Sequence, residues 1–279
     1  MNITTVRATR IGSHAHRYLS AEPRTGLVVS EFRNGFAALL DEGSDPGFVT
    51  FQPTMLPLHP WAVELDPMIR PRLNSACHIR DQVVSLAPAF HIDISAAEIT
   101  ELKIQPWGAR AIRHAQQRIP ELQQTIEEAP SVWTSRALGP GVSELLKGLP
   151  STGIVEPLMA AIGQGPGSTP SGDDYAVGQL AVQWAMHRAS RQAERQLKGL
   201  QRLCQWEHLK ERTPIGSAQM ILAAAAGQFP ESVCYVMRAL GMDPSRSIYT
   251  PARVLALEGV TSGTATLAGI LDGLRYLAR

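Results

Sequence analysis

Hydrophobic and polar residues alternate in short runs over the first hundred positions, and turn residues separate the runs. The predicted strands are 26–32, 35–40, 47–51, 61–65, 81–86 and 91–94. Asn34-Gly35, Asp45-Pro46-Gly47 and several prolines lie between them. Several short strands at this spacing are typical of a small antiparallel sheet or barrel.

From Trp107 onward apolar residues recur at three and four positions, and alanine, leucine and glutamine dominate. This period predicts helices. The predicted helices are 109–119, 142–149, 155–162, 173 to about 209 with room for a break, 215–226, 231–240, 250–257 and 264–277. We therefore predict an α+β fold, with a β-rich N-terminal domain at 1–105 and a larger, mainly α-helical C-terminal domain at 106–279.

The composition excludes several classes of protein. With 279 residues and 44% apolar content, the chain can bury a substantial core. Its 26 basic and 25 acidic side chains nearly cancel, and no basic stripe is interleaved with aromatic residues, which argues against nucleic acid as a partner. We find no signal peptide and no apolar stretch long enough to cross a bilayer, so we expect a cytoplasmic protein without a membrane partner.

Cysteine and histidine residues give little chemistry by themselves. Cys77, Cys204 and Cys234 are far apart and form no C-x-x-C pair, so we expect reduced core residues. His14 and His16 lie in an N-terminal stretch that we expect to be mobile, with both side chains solvated. No Ser-His-Asp order, nucleophile elbow or P-loop lysine is present.

The segment 165–174 reads GPGSTPSGDD and leads into a predicted helix. Glycines allow peptide N–H groups to approach a ligand, and the first amides of a helix lack intrahelical partners. Such a turn can hold an anion, and nearby hydroxyls add donors. We expect the peptide N–H groups near 169–173 to converge on an open pocket. The candidate substrate-binding residues of this loop are Gly165, Gly167, Ser168, Thr169, Ser171 and Gly172.

Two further interpretations of this loop remain open. In the first, Ser171 is an ordinary N-cap and the acidic pair only complements the helix dipole. In the second, Asp173 and Asp174 are catalytic, although two carboxylates repel an anion. One of them could hold Mg²⁺, orient a substrate amide by accepting its N–H, or point away from the site. On the functional interpretation, Gly172→Val or Asp173→Ala should weaken anion binding or partner-dependent activity far more than thermal stability.

Two other helix starts have a similar composition. The segment 259–263, GVTSG, repeats the pattern of the first loop, and Gly269 follows Gly263 at the spacing at which Gly178 follows Gly172. The segment 212–217 begins with an arginine suited to bidentate contact with a carboxylate or phosphate. Chance similarity and simple helix capping are the alternatives. The candidate binding residues are Arg212, Thr213, Ser217, Thr261, Ser262 and Gly263.

At these three segments the sequence resembles the AllH-type family, the oxamate carbamoyltransferase subunit family. Its hallmark is a G-x-G-x-G-L-T-P-S-G-D-D loop, which this chain matches from Gly163 to Asp174 with Ser168 in place of the leucine. The alanine-rich stretch 213–227 and the late S-G segment 261–269 also match. Many members have an aspartate after that last S-G, where this chain has Thr264.

The resemblance implies a subunit of a multi-protein carbamoyltransferase of purine (allantoin) nitrogen catabolism. Such an enzyme interconverts oxalurate and phosphate with oxamate and carbamoyl phosphate, and needs partners that resemble an acyl-CoA-synthetase-like protein and a second subunit. The small anionic ligand would be carbamoyl phosphate, oxamate or phosphate. The alternative hypothesis is a non-catalytic subunit that binds a metabolite or serves as a scaffold.

Overall fold

The computed structural model confirms the α+β fold. It describes residues 3–20, 24–40, 47–128, 153–165, 169–242, 245 and 247–277. The chain divides into two compact units, Met1–Leu102 and Lys103–Arg279, and each has its own hydrophobic core.

The first unit is a small β-barrel. Its strands are β1 (Thr4–Gly12), β2 (Arg24–Phe32), β3 (Gly35–Leu40), β4 (Gly47–Pro53), β5 (Ala62–Leu65), β6 (Ala76–Arg80), β7 (Val83–Leu86), β8 (Phe90–Asp93) and β9 (Glu98–Thr100). The strand order is β5-β4-β3-β2-β6-β7-β8-β1, and β1 also pairs with β5, which closes eight strands. Strand β9 lies beside β1. Most of these pairs are antiparallel, whereas β4–β5, β8–β1 and β1–β9 are parallel.

The barrel closes because apolar side chains alternate into its interior. Phe36 of β3 and Phe51 of β4 stack with their ring centroids 4.6 Å apart, and both are almost fully buried. Between β6 and β7, Asp81 and Gln82 both have positive φ angles, of 52° and 61°. This pair makes a tight hairpin turn. The strand predicted at 81–86 is therefore confirmed only from Val83, and β6 was not predicted.

The expectation of a mobile N-terminal stretch is also wrong. Strand β1 completes the barrel, and helix α1 (Ser13–Leu19) follows it directly. Ile11 is fully buried, and His14 is only 8% exposed. Val6, Ala8 and Ile11 supply the buried face of β1. The residues between them are polar, so the alternation is hard to recognise in the sequence.

The second unit is helical. Its helices are α2 (Ala109–Gln117), α3 (Ile119–Glu127), α4 (Val155–Ala161), α5 (Ser171–Met186), α6 (Arg191–Leu203), α7 (Trp206–Leu209), α8 (Ile215–Ala225), α9 (Glu231–Gly241), α10 (Tyr249–Ala256) and α11 (Ser262–Leu277). The helix predicted from 173 to 209 is three helices, and the Ser190 hydroxyl caps the second by accepting from the Ala193 N–H. The helix predicted at 142–149 lies outside the described residues.

Helix α5 lies at the centre of this unit and packs along α11. Its residues are buried on nearly all sides, which explains why it lacks a polar face. Glycines on both helices face each other at the crossing.

The three cysteines are free, Cys77 and Cys204 are buried, and burial raises the pKa of each thiol to about 12. Among the described helices, none is long and apolar enough to span a membrane.

Candidate functional site

The starts of α5 and α8 meet at the carboxylate of Asp173. Its Oδ1 accepts a hydrogen bond of 2.7 Å from the Gly163 N–H, and its Oδ2 accepts one from the Thr213 hydroxyl. The Ser217 hydroxyl lies close enough to lower the pKa of Asp173, without a well-aligned hydrogen bond to it. The first and third segments predicted from the sequence are therefore adjacent in the structure.

Asp173 is fully buried, and its two oxygens already have donors. Burial raises the pKa of this carboxyl above its ordinary value, and the hydrogen bonds from Thr213 and Gly163 oppose that shift. Both donors come from the protein itself. The arrangement therefore fits a residue that positions the loop at 163 against α8 better than a base that contacts substrate.

Asp174 has different surroundings. It is 3% exposed, and its Oδ2 atom has no hydrogen-bond partner within the described parts of the chain. Burial raises its pKa well above the ordinary value, and the negative charges of Asp173 and Glu258 raise it further. The Ser262 hydroxyl opposes that shift. Asp174 is thus a buried carboxyl group with an unused acceptor, next to the start of α11.

Glu258 is a candidate that sequence reasoning missed. It directly precedes the GVTSG segment, and its Oε1 atom is buried with no hydrogen-bond partner among the residues described. Burial raises the pKa of Glu258 to about 7, and the nearby Ser232 hydroxyl of α9 partly opposes the shift. An acidic residue immediately before a glycine-rich helix start was the available signal. Nothing in the local pattern marks Ser232.

The peptide N–H groups at the start of α5 do not have the arrangement that the sequence suggested. The N–H of Gly172 donates to the carbonyl oxygen of Gln164, and that of Asp173 donates to Pro170, both at 2.9 Å. The expectation that these two amides bind an anion is therefore wrong. Carbonyl groups of the same segment accept both N–H groups, so these donors are not available to a ligand. At the start of α11, the Gly263 N–H likewise donates to the carbonyl oxygen of Glu258 at 3.0 Å.

Gly165, Thr169 and Ser171 are the other candidate residues of this loop that the structure describes. Gly165 is exposed and has a φ of +101°, and a Cβ there would lie 3.1 Å from the Ser171 hydroxyl. Thr169 is half-buried, whereas Ser171 is fully buried. Gly167 and Ser168, which the sequence also proposed, lie outside the described residues.

Arg212 lies at the exposed edge of the same region. Its guanidinium donates to the carbonyl oxygen of Met159 at 3.1 Å. Its own carbonyl oxygen lies 2.0 Å from the position a Cβ of Gly163 would occupy, so only glycine fits there. Arg212 therefore borders the loop.

Buried hydroxyls lie beside Asp173, beside Glu258 and in the first turn of α11. The side-chain oxygens of Ser217, Ser232 and Thr264 have no hydrogen-bond partner within the described ranges, and all three residues are more than nine-tenths buried. Thr264 holds the position where many members of the resembled family have aspartate. Of the other candidate residues of this segment, Thr261 is half-buried and Gly263 is buried. Unsatisfied buried polar atoms are uncommon in native proteins, so the hydroxyls of Ser217, Ser232 and Thr264 are candidates for contact with a ligand.

In the parts of the chain that the structure describes, no group of three or more His, Cys, Asp or Glu side chains could hold a metal ion. Mg²⁺ is often held by one or two carboxylates together with a substrate phosphate, so the Mg²⁺ considered from the sequence stays a prediction.

The fold and the site together define an α+β protein with a small β-barrel unit and a helical unit, the latter containing a buried centre of carboxyl and hydroxyl groups. Residues 161–274 match the family model described as oxamate carbamoyltransferase subunit AllH. The match confirms the resemblance, and it spans Asp173, Asp174 and Glu258. Neither a curated protein nor a solved structure gives a significant match to the chain.

Proposed function

We propose that this chain is a subunit of a cytoplasmic carbamoyltransferase that acts on oxamate, oxalurate and carbamoyl phosphate in allantoin nitrogen catabolism. We propose that its helical domain, at 106–279, supplies part of the substrate site. The observation that carries the proposal is that Oδ2 of Asp174 has no hydrogen-bond partner among the described residues. Asp174 lies within the family segment and beside Ser262 and Glu258.

The chemistry of carbamoyl transfer needs the groups that this site offers. In the direction of oxalurate synthesis, the amide nitrogen of oxamate attacks the carbamoyl carbon, the bond to phosphate breaks, and the nitrogen loses a proton. Ionised Asp174 would accept that proton as a general base. The buried hydroxyls of Ser217 and Thr264 would donate hydrogen bonds to the carbamoyl oxygen as charge develops on it.

The charges also divide the site into two ends. Carboxyl groups favour the nitrogen-bearing end of the substrate, since a carboxylate or phosphate there would be repelled. Arg212, at the exposed edge, is suited to the anionic end because a guanidinium contacts carboxylate or phosphate oxygens in a bidentate way. The proposed orientation thus places the amide inward and the acid outward.

A non-catalytic metabolite-binding or scaffolding subunit is the second candidate function. The internally paired amides of Gly172 and Asp173 favour it, because a loop built to hold an anion would leave those donors free. The same alternative is favoured by Asp173, because both of its carboxylate oxygens already accept hydrogen bonds from the protein. Under this alternative, the polar centre holds the helices in place and the partner subunits supply the reacting groups.

The test is phosphorolysis of oxalurate, followed through the carbamoyl phosphate that forms. We expect turnover from the chain together with its partner subunits and little or none from the chain alone. In the complete complex, Asp174→Asn should lower kcat/KM by about 100-fold or more, while assembly and melting temperature stay near those of the natural chain.

Glu211→Gln is the matched control, because it removes one exposed carboxylate next to Arg212. We expect it to retain full activity. A complex that forms no carbamoyl phosphate contradicts the proposed function. A complex that stays fully active with Asp174→Asn supports the scaffolding alternative instead.

A further inference from the structure

Glu258 and Asp174 are neighbouring carboxyl groups from different parts of the helical unit. Asp174 is in the first turn of α5, whereas Glu258 lies between α10 and α11. They are close enough for the charge of Glu258 to raise the pKa of Asp174. Each carries one buried oxygen that has no hydrogen-bond partner among the described residues.

No basic side chain compensates this pair within the described residues. The shifts of both groups arise from burial, neighbouring hydroxyls and, for Asp174, from other carboxylates. Two buried acceptors without a cation are costly unless a ligand or a shared proton satisfies them. A ligand that donates N–H groups satisfies both oxygens when both carboxyl groups are ionised.

Helix capping does not account for Glu258. A capping carboxylate accepts a hydrogen bond from a peptide N–H in the first turn. Here the Gly263 N–H donates to the backbone carbonyl oxygen of Glu258, and the side-chain Oε1 has no hydrogen-bond partner among the described residues. The Ser232 hydroxyl of α9 lies beside the carboxyl group and is more than nine-tenths buried, and it too has no well-aligned partner in the described part of the chain. The unpaired atoms of Glu258 and Ser232 thus lie near each other.

We propose that Glu258 and Asp174 form a subsite for the –NH₂ group of a primary amide or ureide, with each carboxylate accepting one N–H. This inference rests on the proposed function and adds Glu258 to its substrate-contacting residues. An –NH₂ group supplies two donors on one atom, which matches two acceptors from two elements. A free carboxylate has the same shape but presents oxygen, which both carboxylates repel.

Oxamate and oxalate are therefore the discriminating probes. They have the same size, and oxalate has an oxygen where oxamate has the –NH₂ group. A site that binds a substrate through buried hydrogen bonds rejects the analogue without them by large factors. We expect the full-length chain to bind oxamate at least about 100-fold more tightly than oxalate in isothermal titration calorimetry.

Two variants test the assignment. Glu258→Gln and Asp174→Asn each keep the size of the side chain and remove one negative charge. Each should reduce the preference for oxamate over oxalate by about tenfold or more, with weaker oxamate binding and equal or tighter oxalate binding. The control Glu211→Gln should keep the preference of the natural chain. If Asp174→Asn does not fold, Glu258→Gln at its less buried position decides the question.

Two results overturn the subsite. One is an unchanged preference in folded Glu258→Gln and Asp174→Asn chains, and the other is a natural chain that binds neither probe. Failure of the proposed function has a different signature: the reconstituted complex forms no carbamoyl phosphate, while the natural chain still prefers oxamate.

Discussion

Gly178 of α5 and Gly269 of α11 pack against each other where the two helices cross. A Cβ on Gly178 would lie 3.0 Å from the Cα of Gly269 and 2.1 Å from the carbonyl oxygen of Thr266. A Cβ on Gly269 would lie 2.2 Å from the carbonyl oxygen of Tyr175. The contact is reciprocal, because Thr266 and Tyr175 each lie three residues before the glycine of their own helix. The crossing holds the two helix starts in a defined relation and so positions Asp174 beside Ser262.

We expect Gly269→Ala to destabilise the helical unit. The new methyl group would overlap the backbone of α5, and a backbone cannot rotate away as a flexible side chain can. The free energy of unfolding should fall by about 2 kcal/mol or more in urea denaturation.

Gly199→Ala in α6 is the control for that variant. Among the described residues, its Cβ would meet the two methyl carbons of Val155, at 3.2 and 3.7 Å, and alanine is the better helix former by about 1 kcal/mol. The stability of this variant should be equal to or above that of the natural chain. Equal losses in both variants would show that the glycine crossing has no special role.

Gly172→Ala should also unfold or strongly destabilise the protein. The sequence suggested that replacing Gly172 would affect anion binding far more than stability, but the structure leads to the opposite expectation. A Cβ there would lie 1.9 Å from the carbonyl oxygen of Ala161. We expect a loss of at least about 2 kcal/mol in thermal or chemical denaturation.

Gly108→Ala serves as the comparison for Gly172→Ala. In the described part of the chain, no atom lies within 4 Å of a Cβ at Gly108, so the change should alter the free energy of unfolding by less than about 1 kcal/mol. A Gly172→Ala chain of natural stability would show that the loop repacks around the methyl group.

Asp173→Asn should lower stability because Asp173 joins the loop at Gly163 to the start of α8. An amide group at this position keeps one acceptor and turns a donor toward the other partner. We expect a loss of about 1–3 kcal/mol, and Thr213→Val should lose part of the same free energy. The double variant should therefore lose less than the sum of the single ones, by about 0.5 kcal/mol or more. Strictly additive losses would contradict the link between Asp173 and Thr213.

Glu258 should make stability depend on pH. Its pKa is about 7 in the folded protein against an ordinary value of 4.5, so between these values the folded state holds a proton that the unfolded state has released. Stability from this group is therefore greatest below pH 4.5 and is lost as pH rises toward about 7. Glu258→Gln removes this loss and should gain on the order of 1–2 kcal/mol over the natural chain between pH 4.5 and 8.

The measurement is urea denaturation of both chains at several pH values. Asp174 remains in the variant and contributes its own slope, so the difference between the two chains is the relevant quantity. That difference should rise through the interval and level off above pH 7. A constant difference would mean that Glu258 titrates as an ordinary exposed carboxyl group.

Local patterns in the sequence determined the fold class and the positions of three helix starts. The change from alternating to helical periodicity identified the α+β class, because side-chain direction repeats with the period of each element. The glycine and hydroxyl motifs identified the starts of α5, α8 and α11, since helix starts have local chemical requirements. Those motifs also indicated the family that residues 161–274 match.

The closure of the barrel was decided by tertiary structure. Strand β1 pairs with β5, so that Ala8 lies opposite Leu65, far away in the sequence. A polar strand such as β1 gains its order from neighbours that are distant along the chain, and local propensity does not contain that information.

The roles of the acidic residues were decided in the same way. Asp173 and Asp174 are adjacent and identical in type, yet the first contacts Gly163 and Thr213, while the second faces Ser262 and Glu258. Successive residues of a helix point in directions about 100° apart, so neighbours in sequence meet different partners. Which partners they meet depends on how α5, α8 and α11 pack, and that packing brings Glu258 into a site that its own sequence segment does not reveal.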